Sequence, residues 1–224
     1  MEVESLRICF KAVERFLKSG LAPEDLRDCG WGVKYVLARA LHSVGDTMIL
    51  RLIRVSPNFS EALEGLDRVD SLVADVGMVE AGVRGRCAAL GLPIAVATAA
   101  GREVPHPPEG LVAAGAEALI RSGAFGPGTL VVNGNAPSFL EALLNAMRSG
   151  TVRPYAIIAT PPGFIKAPSV KERLVKEVRR TPYLTVMGSR GGSPVAVAVA
   201  NALLDIRSGR AEELLRRVGD VVHS

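Results

Sequence analysis

Apolar positions along the chain change their spacing near residue 70. Before that point they recur at helical intervals. Residues 5–18 and 24–44 read as amphipathic helices separated by a Gly/Pro break at 20–23, and a shorter helix is predicted over 57–66. Five short apolar runs rich in β-branched residues follow, at 71–76, 93–98, 129–132, 156–160 and 183–187. Each is bounded by Gly, Pro, Asn or Asp, and helical patterns over 79–90, 109–123, 136–149 and 169–180 fill the intervals. Near-continuous apolar strands separated by helices are what a parallel sheet covered on both faces requires. The prediction is therefore a single α/β domain: a mainly parallel five-stranded sheet flanked by helices. N-terminal helices would occupy 1–66, the α/β core 67–206, and a C-terminal helical segment 207–224.

Composition narrows this. Of 224 residues, 48% are hydrophobic, enough for a full core, while aromatics are only 4%. That argues against an aromatic platform for stacking nucleobases, and no nucleic-acid partner is expected. The formal charge of +4 is spread along the chain, and its densest basic stretch runs from 166 to 180. Such a balance suits an anionic ligand or an ordinary charged surface. Cys9, Cys29 and Cys87 are widely spaced, with no CxxC or Cys/His pattern, so neither disulfides nor a zinc site is expected. The acidic N-terminus does not fit a secretory signal, and no apolar run approaches the roughly 20 residues of a membrane span. A soluble protein of the reducing cytoplasm, with no membrane partner, is the expectation.

In open parallel sheets ligands sit beyond the carboxyl ends of the strands, so the strand-to-helix turns carry the candidate chemistry. In Asn133-Gly134-Asn135-Ala136-Pro137-Ser138, Pro137 suits a first helical turn and Asn135 a cap. The turn reads either as a well-capped connection or as a place where Gly134 admits a ligand to free helix N–H groups. In Gly188-Ser189-Arg190-Gly191-Gly192-Ser193, Arg190 stands where it could grip a carboxylate, although a plain tight turn reads equally well. Neither a Walker loop, a GxGxxG fingerprint nor a GxSxG elbow is present. Lys166, Lys171 and Arg173 follow a stiff Thr160-Pro161-Pro162-Gly163-Phe164 turn and fit a solvated helix face. Of the histidines, His223 is near the terminus and His106 lies between prolines. His42 sits near the carboxyl end of a long helix, which favours imidazolium, the form able to donate a proton. On local grounds His42 is either structural or a general acid.

Taken in order, these segments resemble the precorrin-8X methylmutases, or precorrin isomerases, of cobalamin biosynthesis. The resemblance rests on Ala40-Leu41-His42-Ser43-Val44-Gly45-Asp46 and on Asp75-Val76-Gly77-Met78-Val79-Glu80-Ala81-Gly82. It continues through Gly134-Asn135-Ala136-Pro137-Ser138, Pro162-Gly163-Phe164, Lys171, Arg190-Gly191-Gly192-Ser193 and Asn201. It implies a homodimer without catalytic metal or organic cofactor, apart from any cobalt within the substrate. The implied reaction moves a methyl group from C-11 to C-12 of precorrin-8X or cobalt-precorrin-8, giving hydrogenobyrinic acid or cobyrinate. His42 would be the general acid or hydrogen-bond donor to the macrocycle. The substrate's carboxylates would be held by Arg84, Arg86, Lys166, Lys171 and Arg190, with Ser43 and the turns Gly134, Asn135, Ala136, Gly191, Gly192 and Ser193 completing the site. The chain departs from the family pattern at Ser189, where a second arginine is usual, and at Pro108-Glu109-Gly110-Leu111, where Thr-Arg-Ser is expected. A non-catalytic corrinoid carrier is the alternative from another class, and a nucleotide-dependent enzyme is disfavoured by the missing fingerprints.

Overall fold

In the computed structural model, residues 2–27, 29–104 and 110–219 are described. His106, His223 and the first residue of the helix predicted from 109 lie outside them. Helices α1 (Glu2–Lys18), α2 (Trp31–Val44) and α3 (Met48–Leu52) lead into β1 (Ile53–Val55) and α4 (Phe59–Glu64). The alternating part runs β2 (Ser71–Ala74), α5 (Gly77–Ala89), β3 (Ile94–Val96), α6 (Ala97–Arg102), α7 (Leu111–Arg121), β4 (Thr129–Asn133) and α8 (Pro137–Arg148). It ends with β5 (Ala156–Ala159), α9 (Lys166–Glu177), β6 (Tyr183–Val186), α10 (Ser193–Arg207) and α11 (Arg210–Val218).

The sheet has six strands in the order β1-β6-β5-β4-β2-β3, not five. The additional strand is β1, an antiparallel edge paired Ile53↔Val186 and Val55↔Leu184. All other pairings are parallel. An Ile-Arg-Val run directly after a helical turn has too little length to declare its period, so only the exposed edge of β6 selects it as a strand. The short helix α6 was likewise absent from the sequence pattern. It packs backbone to backbone on α7, and a Cβ at Gly115 would overlap the Ala97 carbonyl.

Side chains of the parallel strands alternate between two cores, the period-two signature of a sheet covered on both faces. Leu72, Ala74, Leu130, Val132, Ile158 and Leu184 pack under α1, α2, α5, α10 and α11. Val73, Val131, Ile157 and Tyr183 pack under α7, α8 and α9. This three-layer arrangement collects the turns after β2, β4, β5 and β6 at one edge. Because β1 is antiparallel, its preceding segment, with α3 and the carboxyl end of α2, arrives at that same edge.

Candidate active site

α2 ends where Gly45 turns left-handed (φ 65°) and donates its N–H to the Leu41 carbonyl. His42, in that last turn, is exposed, and its Nε2 lies 3.2 Å from the Ser5 hydroxyl of α1. Ser43 Oγ donates to the Ala40 carbonyl (2.7 Å) within its own helix. Just beyond, Asp46 accepts the Met48 N–H through Oδ1 (2.9 Å) and the Arg190 guanidinium through Oδ2 (2.5 Å). Those contacts, the backbone donor first, hold its carboxyl below the usual carboxylate range. The end of the histidine helix is thereby tied to the β6–α10 turn.

The turns are themselves linked. Gly192 donates its N–H to the Thr160 carbonyl (2.6 Å), Thr160 Oγ1 returns a bond to the Gly192 carbonyl (3.1 Å), and Gly163 N–H donates to the Ser189 carbonyl (2.9 Å). Gly191, at φ 137°, sits so close to the Thr160 carbonyl that a Cβ would overlap it. Lys171 is fully buried, and its Nζ donates to the carbonyls of Pro161 and Arg190, each at 3.0 Å. Burial pulls its pKa down to about 8. Lys171 therefore clasps two turns together and is not a free cation on a helix face.

The β4–α8 turn is organised by Asp75, which sequence reasoning did not count among the site residues. Its buried carboxylate accepts from the Asn133 side chain (2.8 Å) and from the N–H groups of Gly134, Asn135 and Ala136 (3.0, 2.7 and 2.8 Å). The free N–H groups considered for a ligand here already have an internal anion. α8 is capped at Ala136 without a side-chain bond, so Asn135 is not its cap. Gly134 is required by packing: a Cβ there would come within 2.6 Å of Val79 and 2.9 Å of the Ser193 Cα. The visible signal was a lone aspartate closing an apolar strand, but its partners emerge only once β2 lies beside β4.

Arg190, Gly191, Gly192, Ser193, Lys171, Gly134, Asn135 and Ala136 thus form one contiguous cluster, joined to the end of the His42 helix through Asp46. The other basic candidates have acidic partners of their own. Lys166, at the start of α9, pairs with Glu141 of α8 (3.5 Å), and Arg84 pairs with Glu80 on α5 (2.7 Å). Arg86 is in the last turn of α5, roughly 13 Å along the helix from its start at the rim. It grips buried Asp205 at 2.7 and 3.1 Å, and Tyr35 of α2 donates to the same carboxylate (3.2 Å). Five large apolar side chains stand exposed around the rim: Val44, Met48, Met78, Phe164 and Ile165, the last two at 88% and 91%. Among the described residues, no group of three or more His, Cys, Asp or Glu side chains could hold a metal ion. Nor is any described helix long and apolar enough to cross a membrane.

The precorrin-8X methylmutase family model matches residues 25–206, the whole span from the 3-10 turn before α2 to the end of α10. The chain belongs to this family. It is 32% identical to the cobalt-precorrin-8 methylmutase of Methanothermobacter thermautotrophicus over 82% of this chain and 85% of that one. It is 31% identical to the Synechocystis cobalt-precorrin-8 methylmutase over 76% of this chain and 84% of that one. The solved precorrin-8X methyl mutase of Thermus thermophilus superposes with a TM-score of 0.69 at 25% identity, covering 89% of this chain and 96% of that one. As a methylmutase the protein is an isomerase. Its α1 helix, which carries Ser5, lies outside the matched stretch.

Proposed function

We propose that the protein moves a methyl group from C-11 to C-12 of precorrin-8X or cobalt-precorrin-8 in cobalamin biosynthesis, giving hydrogenobyrinic acid or cobyrinate. The observation that carries this reading is the position of His42: exposed at the carboxyl edge of the sheet, four residues before the aspartate that holds Arg190. The shift is an isomerisation. One carbon–carbon bond breaks at C-11 as another forms at C-12, and no atom enters or leaves. Such a step calls for no nucleophile, metal or redox cofactor from the protein. It gains from a proton or strong hydrogen bond supplied to the ring as its conjugation changes, which is the role assigned to His42.

The substrate carries several acetate and propionate carboxylates around an apolar ring. Arg190 is the cation of the cluster best suited to one of them, once it exchanges Asp46 for substrate. Lys171 and Asp75 act indirectly, by fixing the turns that the ring meets. Phe164, Ile165, Met78, Met48 and Val44 offer apolar surface to the macrocycle and to a second protomer, since so many exposed large side chains gathered on one edge call for cover. We assign the active form as a homodimer on that basis.

The decisive experiment mixes the purified protein with precorrin-8X, or its cobalt form, and follows the visible spectrum. Conversion to the product spectrum is expected. Stable pigment binding without conversion would make the protein a corrinoid carrier.

A further inference from the structure

We propose a second ligand site at the opposite, amino-terminal edge of the sheet, for a small organic polyanion. Two adjoining cavities open there, of about 600 and 300 Å³, and both are lined by Arg153, Arg180 and Thr181. The larger adds Arg148 and Arg179 over a floor of Leu144, Val152 and Val178, all three buried. The smaller adds Arg68, whose guanidinium lies over the Tyr155 ring at 5.7 Å.

The charge there is unbalanced. Glu61 and Glu177 are the acidic residues lining the two cavities, and Glu177 is already held by Arg173 at 2.9 and 3.2 Å. Among the described residues, no carboxylate lies within ion-pair distance of Arg148, Arg153, Arg179 or Arg180. Arg148 ends α8, and its charge complements the negative carboxyl end of that helix. That effect fades within one turn and does not account for Arg153, Arg179 and Arg180, which lie on the loops leading into β5 and β6. The loop carrying Arg180 is fixed, because the Asn58 side-chain amide donates to the Arg180 carbonyl (3.0 Å) and Thr181 is buried. Glu177 also feels the charge of Arg148, but four arginines lining one cavity with an apolar floor, none within ion-pair distance of a carboxylate among the described residues, suit clustered phosphates or carboxylates attached to a flat or aliphatic body.

This edge is remote from His42 and the turns around Arg190, so the two assignments fail independently. The test titrates the full chain by calorimetry with ATP, with benzene tetracarboxylate and with inorganic tripolyphosphate. Saturable binding of at least one organic anion is expected, tighter than that of tripolyphosphate and weakened by added salt. Whether ATP or the tetracarboxylate binds more tightly identifies the anionic group preferred. Arg153→Ala/Arg180→Ala should raise Kd about tenfold or more. Arg148→Ala/Arg179→Ala should do the same, and Arg190→Ala should leave Kd unchanged. Conversion of precorrin-8X should be unaffected by either double substitution. No saturable binding of the organic anions, binding no tighter than that of tripolyphosphate, or affinity unmoved by both double variants would overturn the proposal.

Discussion

Arg190 and Asp46, which stand 144 residues apart in sequence, meet at 2.5 Å and join the β6–α10 turn to the end of the helix bearing His42. Both side chains are well exposed, so the pair is screened by water and is readily exchanged for another partner. If Arg190 takes a substrate carboxylate as proposed, Asp46 is the partner that carboxylate must displace. Arg190→Ala is expected to weaken binding of hydrogenobyrinic acid about ten- to hundredfold, as loss of a charge-assisted contact does. Asp46→Asn releases the guanidinium and should tighten binding. An absorbance titration of both variants checks this, and equal weakening in the two would mean that the pair acts as a structural unit.

His42→Ala should retain pigment binding and lose turnover by about 10²- to 10⁴-fold, the usual scale of a positioned acid or base. The side chain is exposed, so its removal leaves the core intact. Single-turnover absorbance kinetics with saturating substrate separates the two effects. A variant that converts substrate at the wild-type rate would remove His42 from the chemistry.

The parallel sheet was legible because its strands are apolar on both faces and are punctuated by Gly, Pro, Asn and Asp. Strand β1 was not, since Ile53-Arg54-Val55 carries no readable period and is a strand only through β6. Helix α6 was hidden in Ala97-Thr98-Ala99-Ala100-Gly101-Arg102, where small residues serve packing on α7 and give no amphipathic stripe. At the site, the turns themselves were visible in sequence, but the partners of their polar groups were not. A lysine in a helical pattern reads as solvent-facing. Only the approach of two turns explains why Lys171 is buried. Likewise, the donors at 134–136 face Asp75 because β2 and β4 are neighbours, a pairing between distant segments that local spacing does not encode.

Asp75→Asn tests how much of that turn depends on one carboxylate. The replacement is nearly isosteric, yet it sets an NH₂ group among four N–H donors that formerly met an anion. One or more of those buried donors then loses its acceptor. A loss of about 3 kcal/mol in unfolding free energy is expected, at the upper end for buried polar groups because the lost acceptor is charged. Urea denaturation followed by circular dichroism measures it. An unchanged midpoint would mean that the turn is held by the packing of Gly134 alone.

Lys171 gives a pH dependence with a defined sign. In the folded protein burial lowers its pKa from 10.5 to about 8, so the ammonium is disfavoured in its buried position. Below about pH 8 both folded and unfolded chains carry the charge, and the penalty of burying it is borne in full. Between pH 8 and 10.5 the folded state has released a proton that the unfolded chain retains, so stability rises with pH across that window. The neutral amine still has two N–H groups for the Pro161 and Arg190 carbonyls, so the clasp survives deprotonation. Lys171→Met removes both the titration and the clasp. Wild-type stability measured against this variant should therefore increase from pH 8 towards 10.5, with other titrating groups cancelling in the difference. Chemical denaturation of both proteins across that range provides the check. Parallel stability curves would show that Lys171 keeps an ordinary ammonium pKa in the fold.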